Sequence, residues 1–277
     1  MKYRFFRFHF YYFFLFLFLV LFSVFVLLLL FSEFMYQKDH FQHKQTIVTI
    51  LADKAEWIDV AKEEILKSRL IIENYIASHP FFEITLESFE PDKSAPPLIQ
   101  KMIEAGNTFE IGPMSAVAGT IAEAAVLKMK EAGASFALVD NGGDMSIYNN
   151  ENRPIVVGVY SGNSSVQNFG FSIEPSDNIL SICTSSASVG PSISFGQADA
   201  AVIFSKNGPL ADAAATALGN ALKEKGNPKK IEEALQTVSN VIGIDGAVLI
   251  EGENIGMVGK VPRIVKANVD YDIITKG

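Results

Sequence analysis

Asp212 and Thr216 stand four positions apart in LADAAATALGNAL, residues 210–222, a stretch otherwise made of alanine, leucine, glycine and asparagine. At helical spacing both fall on one face. A carboxylate and a hydroxyl there are hard oxygen ligands, suited to a divalent cation such as Mg²⁺ whose shell water and substrate phosphates complete. A plainer account is also open. Asp212, in the first turn after Gly208-Pro209, complements the helix dipole, and Thr216 bonds the carbonyl one turn back. The apolar surroundings favour burial, however, and a buried carboxylate needs a partner charge.

Two further polar islands carry candidate chemistry. In DNGGD, Asp140 to Asp144, the paired glycines fit a tight hairpin turn. They equally fit a bare surface whose N–H groups face an anionic ligand. The GxGxxG spacing of a dinucleotide fingerprint is missing. In CTSSASVGPSISFG, residues 183–196, hydroxyls crowd a loop. The four histidines (His9, His40, His43 and His79) all precede residue 80, so Ser185 and Ser186 have no nearby Ser-His partner in sequence. His40 and His43 are spaced to share a metal but read as exposed residues of a linker or first strand. Cys183 is the single cysteine, which excludes an internal disulfide and a Cys-rich zinc site. With no basic neighbour in sequence to lower its pKa, it reads as a packed strand residue.

These islands need a scaffold. HFQHKQTIVTIL reads as a first strand, residues 53–78 as a helix stopped by His79-Pro80, and FFEITLESF as an alternating strand. Pro96-Pro97 opens a short helix ending near Gly106. IGPMSAVAGTIAEAAVLKMKEAG predicts a helix with Pro113 at its first position and Gly133 as C-cap. SFALVD, MSIY, IVVGVY, FGFSI, ILSIC and AAVIF read as strands with no helix between them long enough for repeated βαβ crossovers. KKIEEALQTVSNV is a last helix and AVLIEGENIGMVG a closing hairpin. The order predicts an α+β protein with a largely antiparallel sheet and packed helices.

The 277 residues carry a formal net charge of -8, without clustered Lys and Arg, which argues against nucleic acid as partner. Residues 10–31, FYYFFLFLFLVLFSVFVLLLLF, form an uncharged apolar run. At about 1.5 Å per residue it is long enough to cross a hydrocarbon core of about 30 Å. Two accounts stand. In one, residues 1–34 are a transmembrane anchor, with Lys2, Arg4 and Arg7 holding the N-terminus inside and residues 35–277 as the globular domain beyond it. In the other, the stretch is a start-site extension, and a cytoplasmic protein begins at Met35. The membrane enters only through residues 10–31.

Taken in order, GPMSAVAGTIAEAAVLKMKEAGASFALVDNGGD, ICTSS and LADAAATALGN resemble the FAD:protein FMN transferase (ApbE-like) superfamily, and within it the uncharacterised protein family 0280 branch. ADAAATA, against the transferases' ADALATA, is the most specific piece. The resemblance implies an ApbE-like fold, with Asp212 and Thr216 as Mg²⁺ ligands and the Pro113 carbonyl as a third. It implies that Asn141, Gly142, Gly143 and Asp144, with Thr184, Ser185 and Ser186, border FAD or another nucleotide, the small-molecule partner. The transferases' Lys-Gly-Tyr-Ala-Val-Asp segment meets AVAGTIAE here, with Ala116 in the lysine's place, which weakens the implied transferase activity. The alternative implied is an accessory protein of anaerobic sulfur assimilation towards homocysteine, with a role for Cys183.

Overall fold

The computed structural model describes residues 36–159, 166, 168–186 and 196–267. The apolar run of residues 10–31 lies outside them. Among the described residues no helix is long and apolar enough to cross a membrane.

The chain opens with a hairpin, β1 (Gln37–His43) and β2 (Thr46–Ala52), followed by α1 (Ala55–Ser78). In α1, Ile58, Ala61, Ile65, Ile72 and Tyr75 are buried at steps of three, four or seven, the apolar stripe of a helix laid on a sheet. A short α2 (Phe81–Ile84) and α3 (Pro97–Thr108) follow. Next, a single 3₁₀ turn (Pro113–Ala116) runs into α4 (Val117–Ala132), which Gly133 caps at φ 111°. After α4 come the hairpin β3 (Phe136–Asn141) and β4 (Asp144–Asn149), then β5 (Ile155–Gly158), β6 (Phe169–Ile173), β7 (Ser176–Ser185) and β8 (Ala200–Ser205). The remaining elements are α5 (Gly208–Ala221), α6 (Pro228–Ser239), the hairpin β9 (Ile244–Glu251) and β10 (Asn254–Gly259), and β11 (Arg263–Lys266).

Eight strands form one sheet in the order β1-β2-β3-β4-β7-β8-β9-β10, and β11-β6-β5 form a second. Every pairing among the described strands is antiparallel, as the strand-rich pattern without βαβ units predicts. The large sheet falls into two halves of like plan, each two strands, then helices, then a hairpin. The halves meet where β4 pairs with β7.

Helices cover one face of the large sheet over two apolar clusters. In the first half, α1, α3 and α4 pack on Val48, Ile50, Ala137 and Val139. In the second, α5 and α6 pack on Cys183, Ala201, Ile203, Ala247 and Leu249. On the opposite face, Phe171 of the small sheet meets Phe204 edge-on, ring centroids 4.8 Å apart. The two helical layers join where α4 packs against α5.

One predicted strand is absent. FFEITLESF folds as α2 and an irregular tail, because its aromatic residues close a local cluster rather than a sheet face. Phe82 is fully buried, edge-on to both Tyr75 of α1 and Phe89.

Candidate functional site

The contact between α4 and α5 follows from two glycines. A Cβ on Gly119 would lie 2.5 Å from the Gly208 carbonyl oxygen, and one on Gly208 would lie 2.6 Å from the Gly119 carbonyl oxygen. Neither position has room for a side chain, so the first turns of the two helices touch through their backbones. α5 starts with Asn207 accepting the Leu210 N–H at 3.0 Å. With Gly208 as the first helical residue, Asp212 falls in the second turn, not the first as its sequence neighbourhood suggested. The dipole account of Asp212 loses its basis there, since the effect fades beyond the first turn.

Asp212 is 7% exposed. Its Oδ2 accepts the Gly119 N–H at 2.8 Å, so a residue 93 positions away supplies an acceptor to a first-turn amide of α4. Burial pushes the carboxyl up to about 7, against the pull of the Gly119 and Ala118 N–H groups. Asp144 opens β4 across from the start of α5. Burial first, then the charge of Asp212, drive its carboxyl well above the usual range, against the Thr184 N–H that it accepts at 3.2 Å. Among the described residues no Lys or Arg forms an ion pair with either carboxylate.

Between them lies Cys183, fully buried, its Sγ 3.9 Å from the Gly208 carbonyl oxygen. Burial and the charges of Asp144 and Asp212 push its thiol well up, so it stays protonated and packed.

Thr216 lies one turn beyond Asp212 on the same face of α5 and is partly buried. No bond from its hydroxyl to the carbonyl one turn back is formed, unlike Thr120, whose Oγ1 bonds the Ala116 carbonyl at 2.5 Å. Pro113 opens the 3₁₀ turn that leads into α4, and this turn packs on α5. The structure thus brings Asp144 close enough to Asp212 to feel its charge, while Thr216 stands one turn further along α5 and the Pro113 turn packs elsewhere on that helix. Asn141 reaches α4 through its amide, which donates to the Ala118 carbonyl at 3.3 Å.

The other sequence candidates sit differently. Gly142 and Gly143, at φ 70° and 101°, make the two-residue turn of β3 and β4, where positive φ alone demands glycine. The Gly143 N–H is donated to Asp140 at 2.9 Å. Alternation along β7 turns the Thr184 side chain away from the face that carries Cys183. Ser185 instead approaches Gly219, two turns down α5 from Asp212, and Ser186 is buried at the strand's end. A cavity of about 440 Å³, lined by Phe109, Glu110, Ile111, Ala217 and Asn220, opens beside this part of α5 and does not include Asp212.

Glu123 is the residue that reading by sequence missed. On α4, it accepts the Gly208 N–H and pairs with Lys101 at 2.9 Å.

The chain belongs to the family whose model is described as AbpE bacteria, which matches residues 33–241. The UPF0280 protein of Methanococcoides burtonii is 54% identical over 242 residues, covering 87% of this chain and 100% of that protein. The UPF0280 protein of Archaeoglobus fulgidus is 41% identical over 243 residues, covering 86% and 98%. Among solved structures, the apo form of the Pseudomonas stutzeri flavinyl transferase ApbE is similar at a TM-score of 0.53 and 12% identity, covering 81% of this chain and 95% of that one. The ApbE protein of Thermotoga maritima is similar at 0.51 and 12%, covering 88% and 100%. The fold is therefore ApbE-like.

Proposed function

We propose that this chain is a divalent-cation-dependent protein that binds a flavin or another nucleotide diphosphate and acts in transfer at a phosphate. One observation carries the reading: Asp212 is buried on the Gly119 N–H, its charge adds to the burial that raises the Asp144 carboxyl, and among the described residues neither acid has a Lys or Arg partner. A hard divalent ion suits that donor set, since it takes carboxylate and hydroxyl oxygens and tolerates few protein ligands. Mg²⁺ is the ion we favour.

In this reading Asp212 and Thr216 hold the cation, the Pro113 carbonyl contributes, and Asp144 adds the second negative charge. When bound, the cation would neutralise charge developing on a phosphate oxygen. The Gly119 N–H fixes the rotamer of Asp212, so that the carboxylate meets its ligand without reorganising. Gly142, which a Cβ would leave with open space around it, and Gly143 offer a surface without side chains for the nucleotide. Thr184, Ser185 and Ser186 border it through the strand end. The Pseudomonas stutzeri protein of like fold is a flavinyl transferase, which supports flavin as the nucleotide.

A second reading has its own support. Ala116, which the family resemblance sets where the transferases carry lysine, brings no positive charge to the site and favours a protein that binds the ligand without cleaving it. The sulfur-assimilation version of that reading gains nothing from Cys183, whose buried, protonated thiol is withheld from any partner.

The test is direct. The purified full chain is examined for bound flavin by visible absorbance, titrated with Mg²⁺ and Mn²⁺, and incubated with FAD with and without metal. Metal-dependent FAD cleavage supports the first reading, and flavin bound but uncleaved supports the second. A protein that takes up neither metal, flavin nor adenine nucleotide overturns both.

A further inference from the structure

Residues 119–125 read GTIAEAA and residues 208–214 read GPLADAA, the same pattern of glycine, any residue, Ile or Leu, alanine, carboxylate and two alanines. The structure brings these two stretches together. Gly119 and Gly208 meet, each excluding a Cβ from the other. Four residues after each glycine, a carboxylate reaches across to the opposite glycine's amide: Asp212 takes the Gly119 N–H and Glu123 takes the Gly208 N–H. Each helix thus supplies an acceptor for one of the other's first-turn donors, which have no acceptor of their own. A Cβ on Gly208 would also lie 2.9 Å from the Glu123 Cβ, and one on Gly119 would lie 2.8 Å from the Asp212 Cβ, so the two arms approach in matching ways.

We infer that Glu123 is a positioning residue for Asp212: by holding the first amide of α5 it fixes the helix crossing at which Asp212 meets Gly119. Its value for ligand binding rests on the cation site proposed above. Glu123 itself stands off from that role, because Lys101 already neutralises it and its side chain is only 12% exposed. What it contributes is an acceptor at a set place. The acceptor oxygen matters, and the charge does not. Glutamine therefore serves in its stead, while methionine, of similar length but with no oxygen, does not.

Two measurements on the full chain test this. The first is amide hydrogen exchange at Gly119, which needs no ligand. Glu123→Met should lower Gly119 protection about tenfold or more, and Glu123→Gln should keep it within about threefold of the unaltered chain. Unchanged Gly119 protection in Glu123→Met overturns the inference. So does an equal loss in Glu123→Gln, which would make the Lys101 ion pair the working part. Should Glu123→Met not fold, the unaltered chain decides: the Gly119 and Gly208 amides should open together with one denaturant dependence, and separate openings overturn the clasp. The second measurement is Mn²⁺ titration, where Glu123→Met should lose about tenfold in affinity and Glu123→Gln should keep it. An unaltered chain that binds no Mn²⁺ sinks the cation site, while the exchange result still decides the role of Glu123. Mn²⁺ affinity unchanged in a folded Glu123→Met variant overturns the link between the two.

Discussion

The first turns of α4 and α5 share a seven-residue pattern, a glycine contact and a carboxylate that bonds the opposite helix, yet they differ in charge balance. Glu123 has Lys101 at 2.9 Å and a side chain at the rim. Asp212 has backbone donors only, sits deeper, and faces a second carboxylate in Asp144. The pattern therefore explains why a carboxylate stands at each position, as a helix-end acceptor, and does not explain why one of them is left without a counter-charge. The pair of acids without a counter-charge on the α5 side is the part that the proposed cation would answer, and the α4 side is its built-in control.

The sharpest way to break this comparison is Asp212→Asn. The amide keeps an acceptor for the Gly119 N–H but drops the charge, so Mg²⁺ or Mn²⁺ affinity should fall about a hundredfold while metal-free melting changes little. Calorimetric titration and melting in chelator check both halves, and undiminished affinity would leave the α5 side no different from the α4 side. Gly119→Ala should come next. Its Cβ would press on a backbone carbonyl that cannot swing aside, and denaturant unfolding should show a loss of about 1–3 kcal/mol.

A smaller effect concerns protons. The folded-state pKa of Asp212 is raised to about 7, against about 4 for a free carboxylate. The folded state thus binds the proton more tightly. Its contribution to stability is fully present below about pH 4 and is lost as pH rises through about 7. Relative to Asp212→Asn, the metal-free chain should gain on the order of 1 kcal/mol between pH 8 and pH 5, and saturating Mg²⁺ should abolish the gain. Least of all, Lys101→Ala should cost roughly 0.2–1 kcal/mol and leave metal affinity unaltered, since the lysine end of the pair is half open to solvent. A large loss of affinity there would make the two sides interdependent through charge.

Sequence made much of this visible. Period-two runs located most strands, although HFQHKQTIVTIL, read as one strand, turns back at Lys44-Gln45 into β1 and β2, and Pro113 and Gly133 bounded the helical stretch that includes α4, because these signals are local. FFEITLESF misled because alternation in aromatic residues also satisfies a compact cluster, and only the packing of Phe82 on Tyr75 and Phe89 distinguishes the two. At the site, the burial of Asp212 followed from its apolar neighbours, but its partner did not, since Gly119 is 93 residues away. The signal that could have found that partner was present in plain letters: GTIAEAA and GPLADAA are a short internal repeat whose glycines and acids are complementary once set face to face. The glycine turn of β3 and β4 was legible as a hairpin, and its Gly143 N–H turns inward to Asp140 rather than outward.

The reciprocal clasp also bears on how the chain reaches this state. Its two hydrogen bonds span 85 and 93 positions, so neither forms until a long loop has closed, and closing it costs entropy before any contact rewards it. The first turns of α4 and α5 are therefore expected to set late, after each half has collected its own strands, and mutations in the clasp should then change the unfolding rate more than the folding rate. On that order the crossing would serve as a latch on the assembled molecule.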